Sequence, residues 1–237
     1  KIVVSSLYEV EVAEFLAEVR QEFPHIDFVG TWGDVFVREA FREVAREELL
    51  KDSKCREALY EDLFGDFQAA YERSVLVGLI RTYRPDVIVD CINTATALSY
   101  QDVERISLKT HEALRQLDES PDDPILREQL VQDVGMLLIS QATLQLIRHV
   151  RLLHQAMCEV GTRLYIKVGT TGTGGMGLNI PYTHSEDRPS VQLMAKTAMA
   201  FAHTGLRVLM ARTPGGPLVK EVKPAAMIGY RRVALQP

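Results

Sequence analysis

The sequence contains few of the residue patterns that cross-link proteins or bind metals. Its three cysteines, Cys55, Cys91 and Cys158, are widely spaced and form no C-x-x-C pair. This excludes a disulfide framework and a thiolate zinc motif. We expect reduced, mostly buried thiols of a cytoplasmic protein. His149 and His154 are five residues apart, which places them about 140° apart around a helix. We therefore expect no metal site.

Long apolar runs and an excess of positive charge are also missing. No apolar run approaches the roughly 20 residues that a bilayer span requires, and no signal peptide opens the sequence. The net charge is −5, which argues against a basic face for nucleic acid or membrane lipid. We expect a protein that acts on a small-molecule substrate, without nucleic acid or membrane partners.

The composition is that of a globular protein, with 46% hydrophobic and 25% charged residues among 237. Apolar β-branched patterns predict strands at 1–7, 25–30, 85–96, 163–168 and 206–211. Helical patterns lie between them, at 9–23, 35–83, 127–160 and 190–204. Breaks are expected at 51–54 and at Gly65, and Gly161 and Gly205 are the expected helix stops. The segment 101–127 is polar and contains the loop sequence SPDDP.

This alternation predicts a doubly wound, mostly parallel, Rossmann-like α/β sheet. The strands are apolar over their whole length, as expected where helices cover both faces of a sheet. We assign residues 1–217 to this domain and residues 218–237 to the start of a small C-terminal substrate-side region.

The stretch GTTGTGGMG, residues 169–177, follows the strand pattern RLYIKV. Gly172 to Gly177 fits the G-x-G-x-x-G turn that binds a pyrophosphate. In that turn a helix begins at once, whereas Pro181 and Pro189 disfavour a helix before residue 190. For residues 169–177, two interpretations remain open: a turn that binds a pyrophosphate, and a loop without a ligand role. A third interpretation rests on the order of the elements around this loop.

The order of strand, glycine and threonine loop, proline-containing acidic stretch and lysine-bearing helix resembles the extended short-chain dehydrogenase/reductase family. That family includes nucleotide-sugar epimerases and dehydratases. RLYIKVGTT resembles the strand that ends in the catalytic Ser or Thr, which implies Thr171, or else Thr170, in that role. HSEDRPSVQLMAKTAMA resembles the segment with the Tyr-x-x-x-Lys pair: Lys196 is present, but Gln192 stands where the family has tyrosine. Tyr182, on the preceding loop, is the candidate substitute.

The resemblance implies a catalytic set of Thr171, Lys196 and Tyr182. Thr171 would orient or polarise a carbonyl, and Lys196 would hold the nicotinamide ribose. Gln192 has no titratable proton and cannot act as a general acid or base. The alternatives are a surface aromatic for Tyr182 and a solvated helix residue for Lys196.

The resemblance also implies NADP or NAD as cofactor. Ser5 and Ser6 stand where many NAD-binding members carry an acid, which makes NADP tolerable and slightly favours it. Asp34-Val35 resembles the pair that contacts adenine, with a helix N-cap as the alternative for Asp34. The remaining implied cofactor contacts are Asn93, Thr94, Ala95, Lys196, Pro214 and Gly215.

By this resemblance, residues 1–7 are the second strand of the family's sheet. A sheet in the order 3-2-1-4-5-6 without its first strand would leave buried backbone groups unpaired. We therefore expect a strand and a glycine-rich phosphate turn before Lys1. The helices at 127–160 and 190–204 are the expected homodimer interface, with an intramolecular core as the alternative.

Three functions follow. The first is an NAD(P)-dependent oxidoreductase, epimerase or dehydratase. The second is a cofactor-binding but catalytically inactive sensor, regulator or structural subunit, which the missing tyrosine favours. The third is a Rossmann-like binder of another nucleotide or acyl carrier, with Gly172–Gly177 as its anion loop.

Overall fold

The structure, a computed structural model, describes residues 1–92, 103–168 and 191–222. It is a mixed α/β structure with two short parallel sheets. The chain divides into two compact units. Unit 1 comprises Lys1–Pro85 and Ala97–Gly161, and unit 2 comprises Asp86–Thr96 and Thr162–Pro237.

The sheet of unit 1 consists of β1 (Ile2–Ser6) and β2 (Phe28–Trp32), which pair in parallel. Helix α1 (Glu9–Glu22) joins them. The two predicted strands and the predicted helix at 9–23 are therefore confirmed. The parallel connection places the carboxyl ends of both strands at the same edge of the sheet.

Helix α1 packs on one face of this sheet through Val12 and Leu16, which are buried against Phe28. Gly30 makes this close approach possible. A Cβ atom added at Gly30 would lie 2.6 Å from Val12 Cγ1 and 2.8 Å from Leu16 Cδ1. The absence of a side chain in the middle of β2 therefore sets the distance between helix and sheet.

The predicted helical region 35–83 contains a 3₁₀ turn at Glu39–Phe41 and four short helices. These are α2 (Arg46–Lys51), α3 (Ser53–Phe64), α4 (Phe67–Arg73) and α5 (Val75–Tyr83). Asp52, Asp66 and Ser74 each accept a hydrogen bond from a first-turn amide of the following helix. Asp52 separates α2 from α3 within the predicted break at 51–54, and the predicted break at Gly65 separates α3 from α4.

Three further helices complete unit 1: α6 (Val103–Glu119), α7 (Pro124–Ile139) and α8 (Ala142–Val160). Most of the polar segment 101–127 is therefore helical, and only its SPDDP portion forms the expected turn. The single helix predicted at 127–160 is also wrong, because α7 ends at Ile139 and the chain bends before α8. Gly161, with φ 79°, ends α8 in the left-handed conformation, as predicted.

Unit 2 contains β3 (Val87–Asp90), β4 (Leu164–Val168), β5 (Leu218–Val222) and helix α9 (Val191–Arg212). The strand order is β3-β4-β5, and both pairs are parallel. The predicted strands at 85–96 and 163–168 are thus confirmed in position, with a shorter β3.

The strand predicted at 206–211 is wrong, because these residues are the last turns of α9. Of LRVLMA only Val208 is β-branched, and the leucine, arginine, methionine and alanine side chains favour a helix. Gly205 continues the helix instead of ending it. The strand lies further on, at β5. Residues 218–222, expected to begin a separate region, pair with β4 in the same sheet.

Among the described helices, none is by itself long and apolar enough to cross a bilayer. Helix α7 and the Leu144–Val160 part of α8 pass that criterion only as a pair, and they are bent by 48° relative to each other.

Candidate functional site

The carboxyl end of the β1–β2 sheet carries the first group of predicted cofactor residues. Ser5 and Ser6 are the last two residues of β1 and lie opposite Thr31 and Trp32 of β2. Ser5 is exposed. The Ser6 hydroxyl donates to the Glu11 carboxylate of α1. This edge therefore offers two serine side chains of which only one already has a carboxylate partner.

The turn after β2 begins at Gly33, whose φ of 113° favours glycine. Its amide donates to the carbonyls of Ser6 and Leu7 at 3.0 and 3.2 Å. A Cβ atom at this position would lie 2.3 Å from Arg42 Cγ. Gly33 thus connects the ends of β1 and β2 and lets Arg42 approach the same edge.

Asp34 and Val35, the predicted adenine contacts, are both buried. The Asp34 carboxylate accepts hydrogen bonds from Arg46 Nε at 2.7 Å and from the Phe36 amide at 2.9 Å. It closes a turn and does not cap a helix. Val35 packs in a core with Leu49 and other apolar residues. Both side chains are therefore engaged within the fold.

Arg42 is the residue of this edge that the sequence did not single out. Its Nε donates to the Trp32 carbonyl at 2.7 Å, its Nη2 to the Thr31 hydroxyl, and its Nη1 to Glu39 at 3.1 Å. The side chain is 25% exposed. The sequence does contain a pattern that points to Arg42, because Arg38, Arg42 and Arg46 are spaced four residues apart. The guanidinium can bind an anion at the end of β2.

The carboxyl end of β3 and β4 in unit 2 carries a second polar group. Asp90 and Lys167 lie opposite each other in register, and Lys167 Nζ is 2.8 Å from Asp90 Oδ1. The Tyr165 hydroxyl donates to Asp90 Oδ2 at 2.6 Å. Lys167 and Tyr165 are each 1% exposed. The aspartate is therefore the centre of a buried network.

The electrostatics of this network favour a charged pair. Burial alone would raise the pKa of Asp90, but the Lys167 charge and hydrogen bonds from Lys167, Tyr165 and the Ile92 amide outweigh it and lower the pKa. Burial, with the Asp90 charge and hydrogen bond, raises the pKa of Tyr165. The phenol therefore stays protonated and serves Asp90 as a hydrogen-bond donor.

The polar row continues across β5. Glu221 lies opposite Lys167, and it accepts a hydrogen bond from Arg207 of α9. Arg207 is 2% exposed, and its Nε and Nη1 have no hydrogen-bond partner in the part of the chain that the structure describes. Sequence reasoning missed this row because it classified VIVD and YIKV as apolar strands. The charged residue near the end of each sequence, Asp90 in VIVD and Lys167 in YIKV, could have indicated the polar row.

The other predicted site residues have different placements. Asn93, Thr94, Ala95, Thr171 and Tyr182 lie outside the described residues. Lys196 lies in the first half of α9, and its side chain is not among those described.

Pro214 and Gly215 form the turn between α9 and β5, with Gly215 at φ 82°. Because β5 runs parallel to β4, this turn precedes the amino ends of the strands. It was expected to follow a strand at 206–211, which is helical. The turn is therefore at the opposite end of the sheet from Asp90 and Lys167.

Cysteine and metal chemistry add little to this picture. All three cysteines are free, and Cys91 and Cys158 are exposed, so the expectation of mostly buried thiols is wrong. Partial desolvation by neighbouring groups raises the pKa of the exposed Cys158 thiol, which disfavours its thiolate. Within residues 1–92, 103–168 and 191–222, no group of three or more His, Cys, Asp or Glu side chains could hold a metal ion.

Comparison of the chain with models of protein families, with curated proteins and with solved structures finds no significant match.

Proposed function

We propose that the chain is an NAD(P)-dependent oxidoreductase, epimerase or dehydratase of the short-chain dehydrogenase/reductase type, with a preference for NADPH. The proposal includes a Rossmann-like domain. Its strand neighbours support it: β2 lies beside β1, and β3, β4 and β5 follow one another. These are the pairings that the order 3-2-1-4-5-6 prescribes for its second to sixth strands.

The observation that carries the cofactor proposal is the arrangement of Ser5 and Arg42 at the carboxyl end of β1–β2. Ser5 lies opposite Thr31, and the Arg42 guanidinium binds the Thr31 hydroxyl. A hydroxyl and a guanidinium suit a ribose 2′-phosphate, and β1 itself has no carboxylate at its end to repel one. The nearby Glu11 carboxylate already accepts from Ser6, so we assign it a smaller effect.

In the proposed reaction the nicotinamide supplies or accepts a hydride. Thr171 would orient or polarise the substrate carbonyl, and Lys196 would hold the nicotinamide ribose. Gln192 cannot move a proton, so Tyr182 is the proposed donor. A homodimer formed through residues 127–160 and 190–204 belongs to the same proposal.

Gln192 also favours a second candidate function, a cofactor-binding protein without catalytic activity. Such a protein would keep the site at the end of β1–β2 and lack proton transfer. Restoring tyrosine by Gln192→Tyr would then produce little activity. A gain of oxidoreductase activity in this variant would favour the enzyme.

A parallel titration with NADPH and NADH tests the proposal. Trp32 is the single tryptophan and ends β2 beside Arg42, so it can serve as the fluorescence donor to a reduced nicotinamide. We expect saturable binding, tighter for NADPH. The proposal would be overturned if neither NADPH nor NADH binds to a protein whose N-terminus has been verified by mass spectrometry. Binding of another phosphate ligand at Gly172–Gly177 would favour the anion-loop alternative.

A further inference from the structure

Arg42 reaches the carboxyl end of the β1–β2 sheet from the turn that follows β2, and its backbone is fixed in that turn. Its carbonyl accepts a hydrogen bond from the Asp34 amide at 2.8 Å. The missing side chain of Gly33 leaves room for Arg42, whose Cγ would lie 2.3 Å from a Cβ atom added there. All of these residues belong to unit 1. The base of the Arg42 side chain therefore has a defined position at this edge.

Two nitrogens of the Arg42 guanidinium are held by β2. Nε donates to the Trp32 carbonyl at 2.7 Å, and Nη2 donates to the hydroxyl of the buried Thr31. Both acceptors belong to a strand whose position is set by its pairing with β1. The guanidinium is therefore oriented before any ligand binds, which lowers the entropic cost of binding one.

The third nitrogen has a partner of a different kind. Nη1 donates to Glu39 Oε1 at 3.1 Å, and the Glu39 side chain is 61% exposed, against 25% for Arg42. Exposed ion pairs three residues apart contribute little to stability, whereas a phosphate dianion forms a strong charge-assisted contact with a guanidinium. Glu39 can therefore be displaced by such a ligand. Release of the Trp32 carbonyl or the Thr31 hydroxyl would instead leave a polar group of the strand without its partner.

We propose that Glu39 is an internal competitor for an anion site at Arg42: its carboxylate occupies Nη1 when no phosphate is bound, and a dianionic phosphate displaces it. Glu39 thereby makes the site selective for charge, since a ligand without a phosphate leaves the Arg42–Glu39 pair intact. The inference rests on the proposed function only in naming a ribose 2′-phosphate as the natural ligand group. The competition itself concerns residues of unit 1 alone.

Titration with adenosine 2′-monophosphate and with adenosine tests this role, because the two ligands differ only in the phosphate. Trp32 fluorescence reports binding, since this single tryptophan lies beside Arg42. The variant is Glu39→Gln, which keeps the size of the side chain and removes its charge. The control is Glu43→Gln, because Glu43 is exposed and directly follows Arg42, while the guanidinium binds Glu39.

In Glu39→Gln we expect the Kd of adenosine 2′-monophosphate to fall about threefold, in line with the removal of one exposed ion pair. The Kd of adenosine should stay unchanged. In Glu43→Gln both values should stay unchanged at about 0.15 M salt, which screens charges that are not in contact. Equal tightening in both variants would overturn the proposal, because it would show a general effect of charge. Weaker binding in Glu39→Gln would also overturn it, because Glu39 would then support Arg42 instead of competing with the ligand.

Inorganic phosphate separates this inference from the proposed function. The NMR signal of the Arg42 Nε–H, followed during a phosphate titration at constant ionic strength, measures anion binding without a nucleotide. We expect a saturable shift, with a Kd about threefold lower in Glu39→Gln than in the unaltered protein. If phosphate shows this difference and adenosine 2′-monophosphate does not bind, the proposed function fails and the competition by Glu39 stands. If neither ligand perturbs Arg42, or if Glu39→Gln leaves both Kd values unchanged, the inference is overturned.

Discussion

The Tyr71 hydroxyl of α4 donates a 2.7 Å hydrogen bond to the Glu159 carboxylate of α8. Tyr71 is fully buried, and Arg81 of α5 lies over its ring while donating to the same carboxylate at 2.8 Å. Burial, with the Glu159 hydrogen bond and charge, raises the pKa of Tyr71. The consecutive helices α4 and α5 therefore meet the distant helix α8 at one carboxylate.

Replacing Tyr71 by Phe should lower the free energy of unfolding by about 1 kcal/mol, because one hydrogen bond is lost while the ring still fills its place. Chemical denaturation of both proteins measures the difference. The control is Tyr60→Phe, since Tyr60 is 36% exposed at the protein surface. A Tyr71→Phe variant as stable as the unaltered protein would show that the bond is not a net contributor.

Gly30 and Gly78 should respond to alanine in opposite directions. Gly30→Ala should destabilise unit 1 by about 1–3 kcal/mol, because the new Cβ would overlap Val12 and Leu16 of α1. Gly78 is exposed within α5 and has no atom within 4 Å of an added Cβ. Gly78→Ala should therefore stabilise by about 0.5–1 kcal/mol through helix propensity. Thermal unfolding of the Gly30→Ala and Gly78→Ala variants measures both effects. A change of melting temperature of the same sign in both variants would contradict the packing argument.

Arg42→Gln should weaken NADPH binding about tenfold or more, as expected for the loss of a guanidinium–phosphate contact, and leave NADH binding unchanged. Fluorescence titration of the variant with both cofactors measures this difference. The exposed Arg115→Gln removes the same charge elsewhere on unit 1 and is the control.

Glu11→Gln provides the complementary test at the same edge, because it removes the neighbouring negative charge. We expect tighter NADPH binding in this variant. Equal weakening of NADPH and NADH in Arg42→Gln would show that Arg42 supports the fold and does not select the phosphate.

The pH dependence of stability should report on Asp90. Its pKa is lowered in the folded protein, so its contribution is fully present above the unfolded value of about 3.9 and is lost as the pH falls towards the folded value. Asp90→Asn should therefore be less stable at pH 7, and its difference from the unaltered protein should shrink below about pH 4. Melting temperatures measured from pH 7 to pH 2 test this. A difference that is independent of pH would contradict the charged pair.

Helix α7 carries an apolar stripe that the described residues leave uncovered. Val131, Val134 and Leu138 follow a spacing of three and four residues and are 67%, 38% and 40% exposed. If the proposed homodimer uses this helix, Val131→Glu should convert dimer to monomer, because a buried unpaired carboxylate at an interface is costly. Light scattering after size exclusion gives the mass. The charge change Gln132→Glu, beside the stripe, is the control and should leave the mass unchanged.

Much of the local structure could be predicted because short-range patterns determine it. The β-branched runs that form β1 and β4, the helix stop at Gly161 and the breaks near Asp52 are visible in the sequence. Helix α6 was missed because its many charged residues were taken as the mark of a polar segment, although Val103, Ile106, Ala113 and Leu117 recur at helical spacing. Arg115 also binds Glu112 and Glu119 at helical spacing.

The position of a side chain at the edge of a sheet could be predicted only where a local pattern determines it. Ser5 and Ser6 were placed at the end of the first strand, because the end of a strand is a local feature. Arg42 was missed, since its approach to Thr31 depends on the positive φ of Gly33 and on the path of the following turn. Asp90 and Lys167 were missed for a different reason. Their pairing depends on the register of β3 with β4, which neither strand encodes alone.

Asp90 and Lys167 are 77 residues apart in the sequence, and all of α6, α7 and α8 are made between them. The loop that β3 and β4 must close is therefore long, while the contacts within the helical segment are short-range. Loop closure of this length is entropically costly and slow relative to helix formation. We expect refolding in which helical signal returns first and the unit 2 sheet forms last. During synthesis, β3 would leave the ribosome well before β4, its partner among the described strands.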